Sequence, residues 1–383
     1  MIIFILIIIF FEISHIFTVS NISLISNHEI ERKKRAMLTS MSNIWSEREI
    51  LYYVSPEIDH ILVKMAVSRI KKETCFIFQR QMSLRESLFA YLPGTHYHTN
   101  LGKRLEIPHK IYIPPNSQHI GKIIRETMRA LGAEYEHKRF DRNRYVVVTK
   151  DNAEFSFRRY FSKINSILTT TYGTEYDYRS IMHFAPYEYA RSFGKVISAK
   201  DYLFQPFLGQ SRYLTFNDAK ILNKRYCSHP QIRHPQCLYY GYQHPRYPFM
   251  CKCLPFTSGQ RCEIMTPNSP QCTQPSRYFA TRRSSNVTLQ VGGKCFYMFE
   301  VGPDKKMKIK IKFKFIRYPN SVKCTEDNSI EVKIKCNLST SGLLFCPSMR
   351  ELIFVSRCNF VAIVSSFPNS NIYINVEYLN FIE

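Results

Sequence analysis

Three kinds of apolar pattern run along the chain. Residues 2–11, IIFILIIIFF, are an unbroken apolar run, shorter than the ~20 residues a helix needs to span a bilayer. Polar residues and the small-x-small stretch Thr18-Val19-Ser20 follow, so 1–20 reads as a secretory signal peptide without a basic leader, and no stable membrane span is expected. Helical spacing occurs over 55–71. Ser55 is the expected cap, Pro56 the first helical residue, and Ile58, Ile61, Leu62, Met65 and Ile70 the buried stripe. It recurs over 118–131, where Ile120, Ile124, Met128 and Leu131 share a face and Gly132 supplies a left-handed stop. Strands are expected within 97–114, including KIYI at 110–113. MKIKIKFKF at 307–315 and NIYINVEYL at 371–379 alternate polar with apolar residues, which predicts strands with one wet face.

Chain length allows two or three domains. Twelve cysteines, none before Cys75, suit an oxidising compartment. Asn286-Val-Thr288 and Asn337-Leu-Ser339 are N-glycosylation acceptors. Arg32-Lys33-Lys34-Arg35 before Ala36 reads as a dibasic processing site, which makes 21–35 a propeptide. The net charge of +23 would suggest nucleic acid in a nuclear protein. In an exported chain with Lys and Arg scattered through every segment, it points to acidic glycans, matrix or acidic peptides, or to solubility alone, and no nucleic acid is expected.

One stretch carries candidate chemistry: 121–145, GKIIRETMRALGAEYEHKRFDRNRY. It has the spacing of the metzincin motif H-E-x-x-H-x-x-G-x-x-H, in which three histidines hold zinc and the glutamate is the general base. Its flanks resemble the astacin family. The zinc-ligand positions hold Arg125, Arg129 and Tyr135, the glutamate is Glu126 and the glycine Gly132. Zinc needs lone pairs, whereas a guanidinium has only donors and stays charged. Without the metal nothing acidifies water or polarises a carbonyl, so Glu126 is a vestigial base and no cofactor is expected. Arg125 and Arg129 lie on one face, with Glu126, Glu136 and Asp141 as expected partners; reaching into solvent is the alternative. The resemblance gives Glu136 a contact to the mature N-terminus. It also has Arg125, Arg129 and Tyr135 converge above Met182, beside Glu126.

Downstream, YGTEYDYRSIMHF at 172–184 resembles the astacin methionine turn. Met182 is its methionine, His183 its non-ligating histidine, and Phe184 replaces the tyrosine that stabilises the oxyanion. FLGQSRYLTFNDAKILNKRYC at 207–227 resembles the closing segment, with Thr215 and Asp218 as a capping box. The family bond joining the first helix to the domain end keeps Cys75 and Cys227. The family's second bond lacks both members, near Pro93-Gly94-Thr95 and Gln118.

The resemblance implies a multidomain α/β plus β chain. An astacin-like domain, 36–227, has an active-site helix and a twisted five-stranded, mostly antiparallel-edged sheet. An EGF-like module, 228–263, has the bonds Cys237–Cys251 and Cys253–Cys262, with Pro248 at one missing cysteine. A CUB-like β-sandwich, 272–383, has no acidic calcium cluster. The implied function is that of a secreted, extracellular astacin homologue, inactive as a protease, binding a protein or peptide through its cleft and CUB domain. The alternative is an active zinc endopeptidase with a rearranged site drawn from His96, His98, His109, His119 and His137.

Overall fold

The computed structural model describes residues 37–39, 43–165, 167–209, 212–228, 235–302, 307–317, 326, 329–349, 351–367 and 371–382. The expected signal peptide and propeptide lie outside them. In the first domain the strands are β1 (Met37–Leu38), β2 (Glu49–Val54), β3 (Ile77–Arg80), β4 (Phe89–Pro93), β5 (His98–Thr99), β6 (His109–Ile113), β7 (Val146–Val148), β8 (Thr169–Thr170) and β9 (Ile197–Ala199). Its helices are α1 (His60–Glu73), α2 (Ile120–Ala130) and α3 (Phe216–Tyr226).

The main sheet has the order β3-β2-β4-β6-β5. Its pairs are parallel except at the edge, where β5 runs antiparallel to β6. Helix α1 makes the crossover from β2 to parallel β3, as a parallel pair requires, and packs against α2.

Helix α1 begins later than the sequence suggests. Ser55 turns its hydroxyl to Glu57, and Ile58 N–H closes a turn on Ser55 O at 3.0 Å. Pro56 sits in that turn, and Asp59 is the cap, accepting from Ile61 and Leu62 N–H. The shift rotates the buried stripe to Val63, Ala66, Val67 and Ile70, leaving Ile61 and Met65 exposed. The bond Cys75–Cys227 fastens the end of α1 to the end of α3.

Beyond Cys227 the chain changes character. Two short hairpins follow, β10 (Tyr242–Gln243) with β11 (Cys251–Lys252) and β12 (Thr257–Ser258) with β13 (Ile264–Met265). They carry the bonds Cys237–Cys251 and Cys253–Cys262, and the second hairpin runs two residues past the expected boundary at 263.

A two-sheet sandwich completes the chain. Its strands are β14 (Arg277–Phe279), β15 (Ser285–Gln290), β16 (Gly293–Glu300), β17 (Met307–Arg317), β18 (Ile330–Lys333), β19 (Leu343–Phe345), β20 (Leu352–Val355), β21 (Phe360–Phe367) and β22 (Tyr373–Ile382). One sheet is β14-β16-β21-β18-β19 and the other β15-β22-β17-β20. On β17, Ile309, Ile311, Phe313 and Phe315 point inward. The Phe315 and Phe345 rings meet across the sheets with centroids 4.7 Å apart. Cys272–Cys295 and Cys336–Cys358 are bonded, and Cys346 is also in a disulfide. Asn286 is exposed on β15. The half-buried Asn337 accepts from Ser339 of its own sequon, N–H at 3.0 Å and Oγ–H at 2.6 Å.

The sandwich is docked on the first domain. Asp177 accepts from the Ser341 hydroxyl at 2.8 Å, and Arg179 pairs with Glu331 at 3.0 Å. Lys335 donates to Tyr176 O at 3.1 Å. Its ammonium lies 4.8, 5.1 and 5.8 Å from the ring centres of Tyr178, Phe204 and Tyr145.

Candidate functional site

The site is built on α2, which is tied at both ends. His119 caps the start by accepting from Gly121 N–H at 3.2 Å. At the other end the Trp45 indole N–H donates to Ala130 O at 2.8 Å, and the Tyr226 hydroxyl to Leu131 O at 2.6 Å. Gly132 follows at φ +91°, a conformation that a side chain would strain. Ile120, Ile124, Met128 and Leu131 are all buried, but so are Arg125, Glu126 and Arg129. Because the charged face is also enclosed, each charge needs a partner.

Each guanidinium has a buried carboxylate partner. Arg125 donates from Nη1 to Glu188 at 2.8 Å, from Nε to Ile181 O at 3.0 Å and from Nη2 to His183 O at 3.1 Å. Arg129 pairs with Glu134 and donates from Nε to Thr99 O at 3.2 Å. Burial is the largest single effect and opposes both charges, but the surrounding groups together, Glu188 and Glu126 at Arg125 and Glu134, Tyr135 and Glu126 at Arg129, hold both arginines above their ordinary pKa. Glu134 also accepts from Lys138 at 2.9 Å and from Tyr135 N–H at 2.9 Å.

These partners differ from those expected. Glu136 and Asp141 are engaged by Arg139 instead, at 3.1 and 2.9 Å, and neither arginine reaches solvent. Glu134 lies one turn beyond the helix, where the chain folds back under Arg129. Glu188 is 63 residues from Arg125, and nothing local in the sequence marks it.

Between the arginines lies a pair of aromatic rings tilted by 50°. Arg125 sits 5.0 Å from the Phe184 ring centre and Arg129 4.4 Å from that of Tyr135, and the two rings are 4.5 Å apart. So Arg125, Arg129 and Tyr135 belong to one cluster, with Phe184 between Arg125 and Tyr135. The Tyr135 hydroxyl donates to Glu126 at 3.0 Å. Burial raises the Glu126 carboxyl to about 7 against the pull of Arg129 and Arg125. Burial, then Glu126, raises the Tyr135 phenol well above its usual value.

Two buried histidines fix the Phe184 backbone. His183 donates from Nδ1 to Phe184 O at 2.7 Å and accepts at Nε2 from the Tyr176 hydroxyl at 2.7 Å. His137 donates from Nε2 to Tyr160 O at 3.1 Å and accepts at Nδ1 from Phe184 N–H at 3.4 Å. Burial depresses both, His183 to about 4.

Met182 is buried in a turn pinned from α3. Asp218 closes the capping box with Thr215 and also takes Ser180 Oγ–H at 2.6 Å and Ile181 N–H at 2.9 Å. Glu136 donates its N–H to Met182 O at 3.0 Å, and its carboxylate accepts from Arg139 and Asp177 N–H. Its expected partner, Ala36, lies outside the described residues. Leu38 N–H, two residues along the chain, reaches Gly132 O at 3.2 Å.

As donors these side chains do not fit a zinc ion. Two are guanidiniums without lone pairs, and the third is a phenol that keeps its proton and directs it at Glu126. Among the described residues no three His, Cys, Asp or Glu side chains are grouped to hold a metal. The other histidines are engaged singly. His98 bonds the Tyr160 hydroxyl at 2.8 Å, His96 the Thr95 hydroxyl at 3.0 Å, and His109 Thr99 Oγ1 at 3.0 Å. His119 caps α2.

A model of the astacin family of peptidases matches residues 37–227. Zinc metalloproteinase nas-34 of Caenorhabditis elegans is 26% identical over 353 residues, covering 91% of this chain and 58% of its own. Zinc metalloproteinase nas-37 of the same species is 25% identical, covering 91% and 45%. Blastula protease 10 of Paracentrotus lividus is 25% identical, covering 86% and 56%. The chain thus spans about half the length of the curated relatives it matches. Among solved structures, High choriolytic enzyme 1, a hatching enzyme zinc-protease from Oryzias latipes, is 24% identical, with a TM-score of 0.43 over 50% of this chain and 98% of that one. Residues 37–227, with the helix, methionine turn and closing disulfide described above, are a domain of the astacin peptidase family.

Proposed function

We propose that this chain is a secreted astacin homologue that does not cleave peptides and acts instead by binding an extracellular protein or peptide. One observation carries the reading. The metal-ligand register on α2 is filled by Arg125 and Arg129, each neutralised by its own buried carboxylate. Neither guanidinium offers a lone pair where a dication would sit, and Phe184 brings no hydroxyl to an oxyanion. Glu126, Tyr135 and Phe184 are packed as an interior, and Met182 is buried in its pinned turn.

Binding surfaces remain. The antiparallel strand β5 is an edge of the main sheet, and an edge strand can pair with an extended peptide through main-chain hydrogen bonds, which needs no metal. The hairpin unit reads as EGF-like and the sandwich as CUB-like, and both kinds of module serve recognition. Acidic glycans are a second ligand class for so basic a chain. Asn286 and Asn337 are the proposed glycan sites. The alternative of a rearranged zinc site would draw on His96 and His98, whose ring centres lie 5.9 Å apart, but among the described residues no three ligands are grouped.

The test is turnover by the secreted chain against a fluorogenic peptide library, with added zinc and with a chelator. No cleavage above background is expected in either. Chelator-sensitive cleavage that Glu126→Gln abolishes would overturn the proposal.

A further inference from the structure

Two neighbouring loops of the astacin domain carry side chains that neither the α2 site nor the core uses. The loops are joined as one surface. Ala153 bridges Ala190, Arg191 N–H donates to Asn152 O at 2.9 Å, and the Asn152 amide donates to Lys195 O at 2.8 Å. Each presents one phenylalanine to solvent, Phe155 at 86% exposure and Phe193 at 101%. The neighbouring rings are not left out in the same way. In the same 3-10 turn, Phe157 stacks on Tyr189 at 4.2 Å and Phe161 is fully buried, so Phe155 is the phenylalanine this turn leaves outside. Around the two rings the charge is mostly of one sign. Lys150, Arg159, Arg191 and Lys195 line the loops. Arg158 lies 5.7 Å from the Phe155 ring centre and pairs with Asp151. Glu154 is the other exposed acid on these loops.

We propose that this surface docks on an anionic phospholipid bilayer, with Phe155 and Phe193 entering the interface and the lysines and arginines resting on the headgroups. Single aromatic side chains standing above a basic floor match the layered chemistry of a membrane surface, apolar beneath and negative above. A sulfated glycan would satisfy the cations but gain nothing from two rings held in water. The contact is peripheral, in keeping with the absence, among the described residues, of a helix long and apolar enough to cross a membrane. It stands whatever chemistry occurs at α2.

The experiment is co-sedimentation of the secreted full chain with phosphatidylserine–phosphatidylcholine vesicles and with phosphatidylcholine alone, beside heparin chromatography. Binding is expected to the anionic vesicles, falling roughly tenfold for each of Phe155→Ser and Phe193→Ser and roughly fivefold per basic residue removed. Fold is controlled by Phe193→Trp, which keeps a large ring. Trp45 is the sole native tryptophan and is buried, so the new indole reports directly. Its emission should shift to the blue with anionic vesicles, while a Tyr247→Trp control on the hairpin unit should not move. Failure to bind vesicles, retention on heparin without vesicle binding, binding unaffected by loss of both phenylalanines, or an unmoved indole emission in Phe193→Trp would each overturn the proposal.

Discussion

Arg125 Nη1 stands 2.8 Å from a Glu188 oxygen, and the other two guanidinium nitrogens hold the carbonyls of Ile181 and His183. One side chain from α2 therefore fastens the whole methionine-turn segment. The link is a buried guanidinium, which keeps its charge near neutral pH.

That cross-link is testable by removal. Arg125→Met leaves Glu188 buried with the Ala185 N–H at 3.1 Å and the longer contact to Lys122 at 3.4 Å. Breaking a buried pair from one side costs about 3–5 kcal/mol. Arg125→Met should therefore lower unfolding stability by that order in urea, and the double variant Arg125→Met with Glu188→Leu should recover part of it. A single variant as stable as the parent would mean that the pair carries no structural load.

Glu126 gives a pH prediction of definite sign. Its folded value near 7 lies above the unfolded value near 4.5, because burial disfavours the charge. The folded state then holds its proton more tightly, so ionisation costs stability as pH rises from about 4.5 to 7, and the cost is constant above. Glu126→Gln lacks this cost. The variant should gain on the parent by roughly 3 kcal/mol between pH 4.5 and pH 8. The comparison must be a difference, because His98, His109 and His183, depressed by burial to about 4, lose stability as pH falls through the same window. A difference independent of pH would show that Glu126 keeps its ordinary value.

Lys335 provides a test of how the sandwich is attached. Its ammonium is enclosed by Tyr145, Tyr178 and Phe204 and bonded to Tyr176 O. Burial lowers its pKa. Lys335→Glu places an anion in a cage suited to a cation and should weaken docking by about 2 kcal/mol or more. Calorimetry should then resolve two transitions where the parent unfolds as one, with earlier proteolytic release of the sandwich. A single unshifted transition would contradict this attachment.

How far these features could be read in advance depends on the range of the interactions behind them. The α2 stripe, its glycine stop and the Thr215–Asp218 capping box follow from local rules, and so do the strands with alternating lysines. Helix α1 misled because two capping residues stand close together. Ser55 spends its hydroxyl on Glu57, and Asp59 wins the cap, which turns the stripe by part of a turn. The arginine partners misled for another reason. Glu136 and Asp141 are near in sequence, but Arg139 is nearer to both. Glu188 is brought to Arg125 only by the path of the methionine turn.

The most direct test of the central claim is the metal content of the purified secreted chain after exposure to zinc and removal of excess, read by mass spectrometry. With guanidiniums paired to their own carboxylates at the ligand register, zinc should stay far below stoichiometric. Arg125→His with Arg129→His and Tyr135→His is the comparison expected to raise it. A stoichiometric zinc in the unaltered chain, seated between Arg125, Arg129 and Tyr135, would contradict the account.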